Sequence, residues 1–284
     1  PRNDSKAKFD RVYKAEGEEY FFKNVLDIFE ADELTILNYE GTLTTETDPI
    51  AGSKAYCFRG APGYAGILKA GSVEAVSLAN NHSMDFRERG LEDTRAALDA
   101  AGILHFGRAE SAVYEANGVK IGLLGYYAYQ SKRKNVVAAI EQLRPECDIL
   151  VVSLHWGIEG SRVVDKKQVR LGHAAINAGA DLVLGHHPHV VQGIEKYKGK
   201  YIAYSLGNFC FGGNQNPKDK DSFIFQQTFV LDGGQLTDGG IKVIPCKISS
   251  TAKTNNYQPT PVTGRMASAI KKKIRAAEAM RPVT

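Results

Sequence analysis

Four apolar segments of strand length in this chain end alike, each running out into Asn, Glu or His. Leu34–Leu37 gives way to Asn38 and Glu40, and Val73–Ala79 to Asn81 and His82. Ile149–Leu154 gives way to His155 and Glu159, and Leu182–Leu184 to His187 and His189. Between them lie stretches of helical spacing at Tyr20–Phe29, Tyr64–Ala70, Arg87–Ala101, Val136–Leu143 and Lys167–Ala178, two of them stopped by Gly102 and Gly179. Strands alternating with helices specify an α/β (α+β) chain. In an open α/β sheet, ligands collect outside the carboxyl ends of the strands. Five of the seven histidines sit at such ends, whereas His105 and His173 lie in ordinary strand or helix context and are expected to be structural.

The remaining segments read as hairpins and one last helix. Asn117-Gly118 favours a tight turn within Val113–Leu124, and Lys198-Gly199 turns Val190–Ser205. Phe223–Ile248 gives two strands around Asp232-Gly233-Gly234, and Ala267–Ala279 a helix. With 284 residues, 43% of them hydrophobic, the chain can build its core without help from a metal or a disulfide. Metal ligands in it are therefore free to be functional. We expect one continuous domain over residues 1–284, completed by the strands and helix from about residue 222.

Charge excludes more than it suggests. A net charge of +4 from 36 basic and 32 acidic residues is not the concentrated stripe of a nucleic-acid binder. The densest cluster, Lys271, Lys272, Lys273 and Arg275, reads as a solvated helix face or as a contact to a polyanion or anionic membrane surface. Cys57, Cys147, Cys210 and Cys246 form no C-x-x-C pair, which speaks against a zinc knuckle. No run reaches the length of a membrane span. The opening Pro1-Arg2-Asn3-Asp4 has no Met, so a trimmed fragment is expected, with any export signal or membrane-associating segment outside it.

The clusters at the strand ends carry chemistry. In Gly185-His186-His187-Pro188-His189, Gly and Pro are expected to fix a turn that aims two imidazoles, two residues apart, at one cavity. Neutral imidazole is a common ligand for Zn, Mn and Fe. His155 joins that set from the preceding strand. Glu159 reads as a group orienting an imidazole or reaching substrate. Asn81 offers a neutral oxygen ligand, and His82 beside it a general acid or oxyanion binder, with Asp85 able to pair with it. Glu40 is a carboxylate able to bridge two cations. Ser205 and Cys210 lie in no recognisable nucleophile elbow or dyad.

Leu78-Ala79-Asn80-Asn81-His82-x-x-Asp85, His155-Trp156-Gly157-x-Glu159, Gly185-His186-His187-Pro188-His189-Val190-x-Gln192 and Tyr204-Ser205-Leu206-Gly207-Asn208-Phe209 together resemble the poly-γ-glutamate capsule-synthesis CapA family, a branch of the calcineurin-like metallophosphoesterases. The resemblance runs from about Phe21 to Phe211. It implies a four-layer α-β-β-α sandwich with a dinuclear site of divalent ions (Mn, Zn or Fe) at the strand ends. It implies Glu40, Asn81, His155, His187 and His189 as metal ligands and His82, with Asp85, as the catalytic pair touching phosphate. Asn80, Glu159 and His186 fall where substrate-binding groups are expected. The chain departs from the pattern in one respect. The Asp-x-His or Gly-Asp motif of the superfamily's first strand is not visible, so that strand is expected to lie outside this chain or one metal position to be lost.

Two functions follow as expectations. One is a metal-dependent hydrolase of phosphoester type associated with poly-γ-glutamate capsule biosynthesis at the cell surface. The other is a non-catalytic component of that synthesis or export, binding the anionic polymer or membrane-bound partner subunits. Neither involves nucleic acid.

Overall fold

The structure is a computed structural model that describes residues 4–50 and 56–279. Along the chain come α1 (Asp4–Glu16), α2 (Leu26–Phe29), β1 (Ile36–Asn38), β2 (Thr42–Leu43), β3 (Arg59–Gly60), α3 (Ala65–Ala70), β4 (Ala75–Ser77), α4 (Arg87–Ala101) and β5 (Leu104–Phe106). The hairpin β6 (Ser111–Ala116) and β7 (Val119–Tyr127) follows, then α5 (Arg133–Leu143), β8 (Ile149–His155), α6 (Lys166–Asn177), β9 (Leu182–His186) and the hairpin β10 (Ile194–Tyr197) and β11 (Lys200–Ala203). The chain closes with β12 (Asp221–Asp232), β13 (Gln235–Lys247), β14 (Thr260–Pro261) and α7 (Gly264–Ala279).

Two parallel units face each other. β1, β4 and β5 form a three-stranded parallel sheet in the order β1-β4-β5. The larger sheet runs β10-β11-β9-β8-β7-β6, with four parallel strands in the middle and an antiparallel strand at each edge. Every residue of β8 is buried, as a strand covered on both faces must be. On one face Leu150, Val152 and Leu154 pack with Val136 and Ile140 of α5 and Val169 of α6. On the other, Ile149 and Val151 meet Ala75, Phe106 and Leu184 in the layer between the sheets. The far side of the small sheet is covered by Leu91 and Leu98 of α4, Ile67 and Leu68 of α3, and Phe21, Phe22 and Phe29. Helices, sheet, sheet, helices: the expected four layers are present. The last strands and α7 attach through Phe223, Ile270 and Ile274 on Val191.

Local chemistry explains most boundaries. Asn117 and Gly118 both take positive φ (52° and 75°), the requirement of the tight hairpin turn. Asp165 caps α6 by accepting from the Gln168 N–H, while Gln168 accepts from the Asp165 N–H. Two segments differ from expectation. Tyr20–Phe29 is helical only from Leu26; its apolar spacing marks the buried face correctly, but the preceding turns close with a three-residue bond, Val25 N–H to Phe22 O. The helix α1 has no strong periodicity of its own and is tied down by packing, with Phe9 stacked on Phe21 and Tyr13 against Tyr64.

Among the described residues β1 is paired only with β4. Along its other side runs a cavity of about 1680 Å³, lined by Ile36, Val151, Leu184, Ile224 and Phe225, with Glu40, His186, His187 and His189 also in its wall.

Candidate metal centre

The parallel strands all deliver their carboxyl ends to one place. β1 ends two residues before Glu40, β4 four residues before Asn81, and β8 and β9 end on His155 and His186, which are register partners. Glu40 Oε1 lies 3.7 Å from His155 Nε2, 3.7 Å from His189 Nε2 and 3.9 Å from His82 Nε2. His155 Nε2 is 2.7 Å from Asn81 Oδ1. The His155 and His187 rings are 4.7 Å apart, and His187 and His189 6.0 Å. All five expected ligands thus converge, although they span residues 40 to 189.

The donors fit a cation. Glu40 Oε1, His155 Nδ1 and His187 Nδ1 are buried without a hydrogen-bond partner. Buried polar atoms are normally satisfied, so orphaned atoms on all three residues of one ligand group call for a further partner. Burial raises the Glu40 carboxyl above its usual range, opposed by His189 and His82. Burial also holds His155 well below the ordinary imidazole value, with His187 adding to the effect, and brings His187 to about 4 against the pull of Glu159. Neutral imidazoles are what ligation needs. Two overlapping ligand groups meet at His187: Glu40, His155 and His187 form one, and Glu159, His187 and His189 the other, each with its atoms within 4.8 Å of one another. A set of imidazole, carboxylate and carboxamide donors suits Zn, Mn or Fe.

The turn that builds this set does not work as expected. Gly185 lies inside β9, and its reason is close approach: a Cβ there would sit 2.1 Å from Tyr204 O and 2.5 Å from Trp156 Nε1. Those two atoms are joined by the Trp156 Nε1–H bond to Tyr204 O, 2.9 Å. The reversal is made by His187 and His189 themselves, at φ 98° and 58°. Non-glycine residues held in that region cost on the order of 1–3 kcal/mol each and cluster at functional sites.

The other expected residues divide. His82 and Asp85 pair, Nδ1 to Oδ2 at 2.7 Å, with the imidazole against the Phe58 ring at 4.2 Å. Asp85 also accepts the Phe58 N–H at 2.6 Å. Asn80 is fully buried and spends its amide on Tyr39 O and Asn38 Oδ1, while its Oδ1 accepts the His82 N–H. That gives it the task of tying β1 to the loop that carries Asn81 and His82. His186 lines the cavity next to the cluster, and burial alone lowers its pKa to about 4. Glu159 is exposed at the rim.

Asn208 is the residue that sequence reasoning left without a task. Its Oδ1 lies 2.8 Å from His189 Nδ1, and its amide donates to His189 O at 3.2 Å. Bound this way, His189 keeps its proton on Nδ1 and turns the Nε2 lone pair toward Glu40. The signal was the Ser-Leu-Gly-Asn-Phe run; Gly207, at φ 78°, lets the chain turn Asn208 inward. Cys210 is half-buried with its thiol pushed up to about 12 by desolvation, and Ser205 donates to Val190 O, so neither is a ready nucleophile. His105 and His173 pair with Asp99 and Glu195 away from the cluster. Lys273 pairs with the buried Asp221, while Lys271, Lys272 and Arg275 are exposed on α7. The four cysteines are free.

Comparison with known proteins agrees with this architecture. Residues 5–213 match the profile of the bacterial capsule synthesis protein PGA_cap family. The PGA biosynthesis protein CapA of Bacillus subtilis (strain 168) is 29% identical over 262 residues, covering 84% of this chain and 68% of the relative. The capsule biosynthesis protein CapA of Bacillus anthracis is 31% identical over 225 residues, covering 70% and 52%. A probable polyglutamine synthesis accessory protein of Mycobacterium tuberculosis is 27% identical, covering 77% and 67%. The chain therefore spans about half to two thirds of the length of these relatives. Two solved structures share the fold at TM-score 0.51. One is a hypothetical protein from Thermus thermophilus, 15% identical, covering 81% of this chain and 94% of that one. The other is a novel phosphatase from Mycoplasma pneumoniae, 14% identical, covering 83% and 91%.

Proposed function

This chain belongs to the bacterial capsule synthesis protein PGA_cap family, and from that premise we propose that it is a metal-dependent hydrolase of phosphoester type serving poly-γ-glutamate capsule synthesis at the cell surface. The observation that carries the reading is the convergence of His155, His189 and His82 on one carboxylate oxygen of Glu40, with Asp85 behind His82. Glu40 Oε1 and His187 Nδ1 are buried without a hydrogen-bond partner, which a solvated polar turn would not require.

Glu40, Asn81, His155, His187 and His189 are the residues that would hold two divalent ions, with Glu159 completing the second ligand group. Bound there, such ions supply Lewis acidity and lower the pKa of a coordinated water. The chain's own contribution is proton handling and placement. Asp85 binds His82 Nδ1 and so orients the ring with its Nε2 beside Glu40, facing the anion. From there it donates to the leaving-group oxygen. Phe58 and Phe211 flank His82 and His189 and narrow the approach for water. Among the described residues no helix is long and apolar enough to cross a membrane.

The test is metal analysis of protein made in Mn- or Zn-supplemented medium, followed by turnover on a broad phosphoester panel. Two bound equivalents with hydrolysis support the reading. Metal without turnover on any ester, together with binding of poly-γ-glutamate, transfers the site to the polymer-binding role.

A further inference from the structure

Arg108 stands beside the loop that carries Asn81 and His82, bonded to Ser83 and without an ion pair among the described residues. It follows β5 in a two-residue turn closed by the Gly107–Glu110 backbone pair, and both Arg108 and Ala109 take positive φ, 54° and 71°. Such turns are ordinarily filled by Asn and Gly. The strain here places a half-buried guanidinium beside the loop that carries Asn81 and His82. Nε donates to Ser83 Oγ at 2.8 Å and one Nη to Gln130 Oε1 at 3.2 Å. Both acceptors are neutral, and among the described residues no carboxylate lies within ion-pair distance of it. Two of its five N–H groups are used, which leaves a fork of donors open. Burial lowers its pKa, the sign of a charge partly stripped of water, and the Glu88 carboxylate, beyond ion-pair distance, opposes this only in part.

Its neighbours relate it to the centre. Ser83 follows His82 directly. Tyr127, at the end of β7, has its ring 5.8 Å from that of His155, and burial raises its hydroxyl pKa against the opposing charge of Arg108. Gly125 makes this closeness possible, since a Cβ there would lie 3.2 Å from Gly107 Cα. Lone half-buried arginines are uncommon because the charge is desolvated without return, and a planar fork of donors matches a carboxylate or phosphate.

We propose that Arg108 is a specificity residue that receives a second oxyanion of the substrate, so that the molecule bound has two anionic groups, one at the Glu40–histidine cluster and one on the Arg108 fork. The inference rests on the anion-processing reading of the site. Ser83 and Gln130 are then positioning residues that hold the guanidinium beside the loop carrying Asn81 and His82.

The experiment is calorimetric titration of the Mn-loaded full chain with methylphosphonate, which has one anionic group, and with phosphonoacetate, 3-phosphonopropionate and 4-phosphonobutyrate, which add a carboxylate at increasing distance. Wild type should prefer one phosphonocarboxylate over methylphosphonate by at least about tenfold, the worth of a charge-assisted hydrogen bond. Arg108→Gln should erase that preference, weaken methylphosphonate less than about threefold and keep the metal content. Arg108→Lys, which keeps charge but not the fork, should fall between. A uniform loss for all four ligands, or no loss, overturns the proposal and makes Arg108 structural. Methylphosphonate binding without any preference in wild type overturns it too and leaves the hydrolase reading standing. Failure of the metal-loaded wild type to bind any of the four overturns both.

Discussion

Asp85 holds His82 by its Nδ1, at 2.7 Å, from a position with no solvent exposure. A buried carboxylate on one ring nitrogen fixes the ring's orientation and leaves the other nitrogen, 3.9 Å from Glu40, placed to pass a proton to a bound substrate. His82→Ala should lower turnover by about 10²–10⁴-fold with metal content unchanged. Asp85→Asn should lower turnover while also loosening the loop, because the Phe58 N–H shares the same oxygen. Steady-state kinetics with parallel metal analysis decides the matter; a His82→Ala protein that turns over like wild type removes the general acid.

His187 and His189 supply ligands but little core. Neither belongs to the clusters of buried apolar side chains that join the sheets and helices. The double replacement by Ala should abolish tight divalent-metal binding, while the metal-free melting temperature stays within a few degrees of metal-free wild type. Wild-type metal affinity in the double variant would mean that the ions, if bound, sit elsewhere.

How much of this was visible beforehand depends on the length scale of the signal. Alternating periodicity and strand-end polarity are local; they located β8, β9 and α4, and they picked out five candidate ligand residues that the fold brings together. Gly185 was legible as a constraint but not its cause, because the Tyr204 carbonyl that forbids a side chain there is 19 residues away. The task of Asn208 was hidden for the same reason, since a second partner of an imidazole is a tertiary fact. α1 escaped because its large apolar residues, Phe9, Val12 and Tyr13, cover little more than one turn, and the rings find their partners far away in Phe21, Tyr64 and Tyr257.

Asn208 yields a prediction of its own. Asn208→Ala removes the acceptor that keeps His189 Nδ1 protonated, and frees the ring to rotate or change tautomer. Groups that orient a ligating imidazole are typically worth about 10–100-fold in metal affinity. The variant should show that loss in a competitive chelator titration, with far-ultraviolet dichroism unchanged. Asn208→Asp, which keeps the acceptor, should recover most of the affinity; no recovery would make the residue merely a packing element.

The metal-free chain should lose stability as pH falls from neutrality. His186 and His187 are both pushed down to about 4 by burial. Between roughly 6.5 and 4 the unfolded chain takes up protons at these rings and the folded chain does not, so unfolding gains protons and is favoured by acid. The stability lost on this account is absent above about 6.5, grows through the window, and levels off below 4. For His186 alone the loss between pH 7 and 5 is about 2 kcal/mol, a few degrees of melting temperature in a domain of this size. His186→Gln cannot take up that proton, so its melting temperature should decline less steeply over the same interval. Calorimetric scans of both proteins in chelator, at pH 7, 6 and 5, measure the two slopes. Equal slopes would show that His186 is solvated in the folded chain and that its place in the cavity wall lies open to water.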